Sequence, residues 1–214
     1  MDLDDQVAGC AASHQLLLTA IDELTEAQCR EPSSLPDWSR GHVLSHLARN
    51  ALSHVHLLDC AQRGEIGEQY PGGHKARNAG INEHANDSCD DLVAAVRKSI
   101  YALEGAWAGA SAQAWAGGGQ QSTGALIPMS DIVFLRWREV VIHLTDLDVG
   151  YDCGAWPELY VRMELGRQVQ VWASRKPMGL TGLPPEALAL DPAFRLGWLV
   201  GRAHPIGLPP SPGL

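Results

Sequence analysis

The chain has 214 residues, and its 45% hydrophobic share supports a folded protein with a sizeable core rather than a disordered chain. Its formal net charge of −9 argues against broad electrostatic capture of nucleic acid or of an anionic membrane surface, while a few local arginines could still bind a small anion. No apolar run approaches the roughly 20 residues of a membrane-spanning helix, and the acidic start at Met1–Asp5 lacks the basic segment of an export signal, so we expect a cytoplasmic protein.

Helical periodicity dominates the first 150 residues. Apolar residues recur at helical spacing in four segments, and polar or Pro/Gly-rich turns separate them. Ser39 can cap the second helix, and Ser88 can cap the second half of the third, which is interrupted near Asn86. A Gly-, Gln-, Ser- and Thr-rich stretch precedes the fourth helix and predicts a loop with a short hairpin. The helical segments are Leu3–Gln28, Ser39–Ala61, Lys75–Gly105 and Pro128–Gly150, and the loop is Gly117–Pro128.

The pattern changes after Tyr151. Two further helices are predicted, at Pro157–Arg175 and Ala193–Arg202, and Leu188–Leu190 could form a short strand between them. The proline-rich end, from Pro205 onward, should be extended. The sequence therefore predicts a mainly α protein, with a four-helix bundle over residues 1–150 and a small C-terminal α/β domain over residues 151–214.

The cysteines are odd in number and show no Cys-x-x-Cys spacing. This pattern is typical of a reducing compartment and argues against a disulfide framework or a structural zinc site. Each is expected to be a small buried hydrophobic residue. They are Cys10, Cys29, Cys60, Cys89 and Cys153.

Glu139-Val-Val-Ile-His143 places a carboxylate and an imidazole one turn apart in an otherwise apolar helical segment. Side chains at i and i+4 lie on one face of a helix with their Cβ atoms about 6 Å apart, so these two could hold one divalent cation. A histidine and a carboxylate suit zinc or another first-row ion. A solvated hydrogen bond between them explains the pair alone equally well.

A third ligand would have to come from another helix, and the second helix offers three histidines. His42 and His46 are themselves four residues apart, while His54 lies nearer to the apolar stripe. At about 100° per residue, His46 falls at the edge of that stripe and His42 lies further toward solvent. His46 is the leading candidate, but periodicity alone does not decide among them.

Two longer stretches carry a family resemblance. Residues 35–50 contain the pattern Trp-x-x-x-His-x-x-x-His, and residues 137–147 contain Arg-Glu-x-x-x-His. Together they resemble the mycothiol-dependent maleylpyruvate isomerase family, within the DinB-like metalloprotein superfamily. The resemblance implies a DinB-like four-helix bundle that binds a divalent metal, usually zinc, through His46, Glu139 and His143.

The resemblance also implies two arginines in the active site. Arg77, in His74–Asn78, and Arg202, in Val200–Arg202, match arginine-bearing segments of the family. They would bind the carboxylates of an anionic substrate or of its thiol adduct, a task that suits the planar guanidinium group.

The reaction implied by the resemblance is the cis–trans isomerisation of maleylpyruvate to fumarylpyruvate in gentisate-type aromatic catabolism. Rotation requires temporary loss of the double bond, which addition and elimination of a thiolate would provide. A cysteine-type thiol has a pKa of about 8.5, and coordination to a divalent metal deprotonates it. Since neither ligand motif contains a cysteine, the thiol would be a small molecule, mycothiol or another low-molecular-weight thiol. We expect a monomer or homodimer that binds this thiol and a small anionic substrate.

Alternative functions stay open at this point. A thiol S-transferase or hydrolase would use identical metal ligands, so the sequence barely distinguishes it from an isomerase. A non-catalytic, metal-binding stress protein would need the metal ligands but neither arginine. A helical interaction domain would need none of them, and its histidines would be ordinary residues at the edge of the core.

Overall fold

Long helices make up most of the chain in the computed structural model, which describes residues 2–175 and 182–211. The chain divides into two units, Met1–His143 and Leu144–Leu214. The helices that begin in the first unit are α1 (Leu3–Ile21), α2 (Glu26–Arg30), α3 (Arg40–Gln62), α4 (Gly73–His84), α5 (Cys89–Gly109), α6 (Ala112–Trp115) and α7 (Ile132–Asp146). The predicted mainly α fold is confirmed. None of the described helices combines the length and apolar character needed to cross a bilayer.

Side-chain caps start the helices at positions that can be read from the sequence. Ser39 begins α3 and Ser88 begins α5, each accepting a hydrogen bond from the backbone N–H three residues on, as predicted. The prediction of one helix over Leu3–Gln28 is wrong. Thr25 forms a capping box with Gln28, so α2 begins there as a separate helix after a turn.

Fully buried apolar side chains at helical spacing form the core of the first unit. They lie on α1, α3, α5 and α7, which are the four long helices of the predicted bundle. Burying each large apolar side chain stabilises the fold by about 1.5–3 kcal/mol. They include Leu17, Ile21, Val43, Leu44, Leu47, Val96, Ile100, Leu103, Val133, Phe134 and Trp137.

Arg136 on α7 is a charged side chain that lies fully buried in this core. Its Nη1 donates hydrogen bonds to the Leu47 carbonyl oxygen and to Asn50 Oδ1, both at 2.9 Å. Its Nε donates to His14 Nε2 at 3.1 Å. Hydrogen bonds from a charged donor are stronger than neutral ones. Since the acceptors lie on α1 and α3, Arg136 joins α7 to both neighbouring helices.

A small sheet lies beside the helices of the first unit. Strand β1 (Gly67–Glu68) pairs in parallel with β2 (Gly118–Gln120), and β2 pairs antiparallel with β3 (Leu126–Pro128). The hairpin predicted in the Gly-rich loop is therefore confirmed. Beyond β1, the Gln69 N–H donates to the Gln120 carbonyl oxygen at 2.8 Å, which holds the following loop against the hairpin.

The loop after β1 directs the chain into α4 and against α3. Gly72 and Gly73 have φ values of 89° and 67°, in the left-handed region that favours glycine. Helix α4 then lies along α3, where Ser45 Oγ donates to the Ile81 carbonyl oxygen at 3.0 Å. Gly41 on α3 allows this close approach, because a Cβ atom there would lie 2.3 Å from the Ala85 carbonyl oxygen.

The second unit is helical in its described residues. After the end of α7 it contains α8 (Glu158–Ser174), α9 (Pro185–Leu188) and α10 (Pro192–Leu199). Its core includes Trp172 and Trp198, whose ring centroids lie 5.1 Å apart. The strand predicted at Leu188–Leu190 is wrong, because prolines at the start of α9 favour a helical turn there. The described residues of this unit contain no strand, so the predicted α/β character is absent from them. Part of the Pro177–Pro192 stretch lies outside the described residues.

Two of the cysteines form a disulfide, against the expectation from their spacing. Cys29 on α2 is bonded to Cys89 at the start of α5, with their Cα atoms 5.9 Å apart. The two are 60 residues apart in sequence, and only the packing of α2 against α5 brings them together. Cys10, Cys60 and Cys153 are free and buried, as predicted.

His14 makes the stability of the fold depend on pH. Burial lowers the pKa of His14 to about 4, from an ordinary value of 6.5. The charged and titratable groups facing it are Glu104, Arg136 and Cys10. Because Arg136 can only donate, the His14 Nε2 accepts and its Nδ1–H donates to Glu104. Protonation of the ring would break the bond to Arg136.

We therefore expect the metal-free protein to lose stability on acidification. Between pH 6.5 and pH 4 the unfolded chain binds a proton at His14 that the folded protein does not. The free energy of unfolding should fall over this range by up to about 3 kcal/mol from this residue. Urea denaturation at several pH values measures it. A His14→Gln variant should show a shallower slope, and an unchanged slope would contradict the assignment.

Candidate metal centre

The three side chains predicted as metal ligands converge on one point in the first unit. His46 Nε2, from α3, lies 2.7 Å from Glu139 Oε2 and 3.1 Å from His143 Nε2, both from α7. His143 Nε2 lies 3.5 Å from Glu139 Oε2. Ligands at about 2.1 Å around a tetrahedral metal are about 3.4 Å apart. The spacing therefore fits a single divalent ion, and the two nitrogens and one oxygen suit zinc or a similar metal.

Burial and hydrogen bonding set the charge states of two of the predicted ligands, His46 and Glu139. His46 is 2% exposed, and burial lowers its pKa to about 4 in spite of the hydrogen bond with Glu139. Burial alone would raise the pKa of Glu139, but hydrogen bonds with His143 and His46 outweigh it and hold that pKa well below its ordinary value. A neutral imidazole and an ionised carboxylate are the charge states in which these residues bind a metal.

Arg77, on α4, contacts the predicted ligand His46 at its Nδ1 atom, on the side of the ring away from Glu139 and His143. Its Nη2 donates to His46 Nδ1 at 3.2 Å, and its Nη1 donates to Asn78 Oδ1 at 3.0 Å. The guanidinium also lies 6.0 Å from the centroid of the Tyr70 ring. Because a guanidinium has no acceptor, His46 Nδ1 accepts in this contact, and the neutral ring carries its proton on Nε2.

Geometry separates the three histidines among which periodicity could not choose. His42 Nδ1 accepts a hydrogen bond from the Ser39 N–H at 3.2 Å, so this ring completes the cap of α3. His46 alone of the three joins the cluster of possible ligands in the described residues. His54 instead lies fully buried, two turns further along the same helix.

A cavity of about 310 Å³ lies next to the three ligands, within the first unit. We call it the polar cavity. His46 and Glu139 form part of its wall, and the further lining residues that matter below are Asn50, His54, Gln69, Tyr70, Arg77 and Arg138. This lining contains one carboxylate, from Glu139, and two guanidinium groups, from Arg77 and Arg138. The charge at the wall therefore favours a small anion.

Asn50 and Tyr70 were not predicted as site residues, and His54 was considered only as an alternative metal ligand. Asn50 follows His46 by four residues, so a polar residue on the ligand face was one available signal. Arg136, which hydrogen-bonds Asn50, is a charged residue inside an apolar helical segment. Its position in that segment was a clearer indication of a buried polar contact. Tyr70 comes from a loop, and nothing in its local sequence indicates that it faces the ligand helices.

Arg202 lies in the second unit, where a carboxylate holds it. Its Nε and Nη2 donate to the two carboxylate oxygens of Asp146, each at 2.9 Å, and its Nη1 donates to the Val200 carbonyl oxygen at 2.9 Å. Bidentate contacts of this kind fix the plane of a guanidinium. Its predicted contact with substrate stays a prediction.

Comparison with known proteins agrees with the resemblance. Residues 10–148 match the family described as mycothiol maleylpyruvate isomerase N-terminal domain. A search of curated proteins gave no match. The fold is similar to that of a crystal structure of the mycothiol-dependent maleylpyruvate isomerase, with a TM-score of 0.90 at 24% identity, covering 100% of this chain and 98% of that one. A crystal structure of a histidine-to-alanine mutant of that enzyme gives a TM-score of 0.88 at 23% identity, with the same coverage.

At these identities the solved structures establish a shared fold and nothing more. The family match rests on the sequence itself and covers more than half of the chain, including all three converging side chains. The chain therefore belongs to the mycothiol maleylpyruvate isomerase N-terminal domain family.

Proposed function

We propose that this protein is a metal- and thiol-dependent cis–trans isomerase that converts maleylpyruvate to fumarylpyruvate, with mycothiol as its thiol. The observation that carries the proposal is the convergence of His46, Glu139 and His143 at metal-ligand spacing. Membership of the family and the names of the structurally similar enzymes support the choice of reaction. The donor set favours zinc among the divalent metals.

The ligand residues and the substrate-binding residues would have separate tasks. His46, Glu139 and His143 would hold the metal, which lowers the pKa of a coordinated thiol so that it can add to the conjugated double bond and later leave. Arg77 and Arg202 would bind the carboxylates of the substrate and stabilise negative charge that develops on its oxygens.

Arg77 would have to change its contact when the metal site fills. A histidine that binds a metal through Nε2 carries its remaining proton on Nδ1, the atom to which Arg77 now donates. The Nδ1–H of His46 and the Nη2–H of Arg77 are both donors and cannot hydrogen-bond each other. The Arg77 guanidinium would therefore move away from His46 Nδ1. Since Arg77 also lines the polar cavity, the freed donors would be available to an anionic substrate there.

The cysteines of the chain are poorly suited to supply the thiol. Burial raises the pKa of Cys10 far above its ordinary value and that of Cys153 to about 11. Cys29 and Cys89 are bonded to each other, and no cysteine is among the described residues that line the polar cavity. These facts support a small-molecule thiol.

The direct test measures metal content and isomerase activity on the same preparation. We expect about one metal per chain, turnover of maleylpyruvate that requires both the metal and an added thiol, and higher activity with mycothiol than with glutathione or cysteine. Arg202→Ala should keep the metal and reduce turnover at least about tenfold, as expected for loss of a charged hydrogen bond. Full turnover by the chelator-treated protein would contradict the proposal.

The same assay distinguishes the other functions. A thiol S-transferase would accumulate a stable thioether instead of regenerating free thiol. A non-catalytic metal-binding protein would contain the metal and give no turnover with any thiol.

A further inference from the structure

The polar cavity contains two buried polar atoms that have no hydrogen-bond partner in the described part of the chain: the Tyr70 hydroxyl and Nδ1 of His54. Tyr70 is 8% exposed and His54 is 2% exposed. Burying a polar group without a partner destabilises a fold, and most buried polar groups in proteins are satisfied. Two such groups on the wall of one cavity indicate that a ligand completes their hydrogen bonding.

Other amides on the same wall are already held in place. The Gln69 side-chain NH₂ donates to Ser53 Oγ at 3.3 Å, and its Oε1 accepts from the Ser122 N–H at 3.2 Å. Asn50 Oδ1 accepts from Arg136. These contacts fix both amides, so neither can turn to satisfy Tyr70 or His54 without losing its own partner.

The charge of the wall indicates the chemical class of the ligand. Arg77 and Arg138 line the cavity, while its carboxylate, Glu139, is engaged by His46. A tyrosine hydroxyl can donate one hydrogen bond, and guanidinium groups can only donate. A wall of this kind is complementary to a ligand that presents acceptors and negative charge.

We propose that the Tyr70 hydroxyl, with His54 beside it in the same cavity, forms the binding site for a carboxylate of the substrate next to the metal ligands. This inference rests on the proposed function for the identity of the substrate as a small dicarboxylate. Tyr70 and His54 are binding residues in this scheme and take no part in holding the metal.

Replacing Tyr70 by phenylalanine removes the hydroxyl and keeps the ring under Arg77. Maleate, a small cis-dicarboxylate, serves as the probe, and calorimetry measures its binding to the metal-loaded protein without any thiol. We expect Tyr70→Phe to weaken maleate binding by about ten- to a hundredfold, because a hydrogen bond to a charged group is lost. Metal content should not change. Tyr101→Phe, at a 55% exposed position on α5, should bind maleate as the unaltered protein does.

A second measurement separates a binding role from a structural one. Because the hydroxyl has no partner in the protein, the ligand-free Tyr70→Phe variant should unfold at the same or a higher temperature. His54→Leu, which replaces the ring by an apolar group, should likewise weaken maleate binding without lowering that temperature. A lower unfolding temperature with unchanged maleate affinity would overturn the proposal, as would a failure of the unaltered protein to bind maleate.

The outcomes also distinguish this inference from the proposed function. If the protein isomerises maleylpyruvate and Tyr70→Phe changes neither maleate affinity nor KM, the function stands and the carboxylate site is wrong. If no isomerase activity is found but Tyr70→Phe still weakens maleate binding, the carboxylate site stands and the reaction is different.

Discussion

Replacing His46 by alanine is expected to abolish metal binding and turnover while the helices of the first unit stay folded. His46 supplies the ligand atom from α3, and the other two come from one turn of α7. Without His46, only Glu139 and His143 would remain, and two ligands from one helix bind a metal weakly. Metal affinity should fall by more than about a hundredfold, since even the outer partners of metal ligands contribute ten- to a hundredfold.

Elemental analysis, helical circular dichroism and an isomerase assay on His46→Ala test this expectation together. His56→Ala is the matched control, because His56 lies on the same helix and contacts Cys60 Sγ, outside the cluster of ligands. The control should retain metal and activity. A His46→Ala protein that still binds one tightly held metal per chain would exclude His46 as a ligand.

Replacing Gly41 by alanine is expected to destabilise the protein by about 3 kcal/mol, the upper part of the usual range for overpacking. The added methyl would lie 2.3 Å from the Ala85 carbonyl oxygen and 3.3 Å from that of Cys29. These obstacles are backbone atoms, so no side-chain rotation can relieve the clash, and the end of α4 must move away from α3. Denaturant unfolding of the metal-free protein measures the loss.

Gly105→Ala is the control for the Gly41 substitution. Gly105 lies within α5, and a Cβ atom there would meet nothing within 4 Å. Alanine is favoured over glycine in a helix interior by about 0.8–1 kcal/mol, so this variant should be slightly more stable. Equal effects of the two substitutions would show that the contact between α3 and α4 tolerates the methyl group.

The sequence predicts well those features that depend on neighbouring residues. Ser39 and Ser88 start helices because a cap needs only its own side chain and the next turn of backbone. Glu139 and His143 share a helix face for the same local reason. The capping box at Thr25, which divides the first predicted helix, and the prolines that begin α9 were equally local signals, but apolar spacing alone does not detect them.

Features that depend on packing between distant segments could not be predicted in this way. Helical spacing left His42, His46 and His54 as alternatives. The family resemblance implied His46, and the position of α3 relative to α7 is what separates the three in space. The disulfide between Cys29 and Cys89 depends on how α2 meets α5. Tyr70 reaches the polar cavity through the loop that follows β1, which no periodic pattern describes.

The buried guanidinium of Arg136 connects α1 to the wall of the polar cavity. It hydrogen-bonds His14 on α1 and also Asn50, which lines the polar cavity. A substitution at His14 that removes its hydrogen bond with Arg136 would let the Arg136 side chain move. The Asn50 amide would then change its orientation, although no residue of the polar cavity itself is replaced. Screens for altered substrate preference should therefore recover mutations in the first helix, and such mutations would act on recognition as well as on folding.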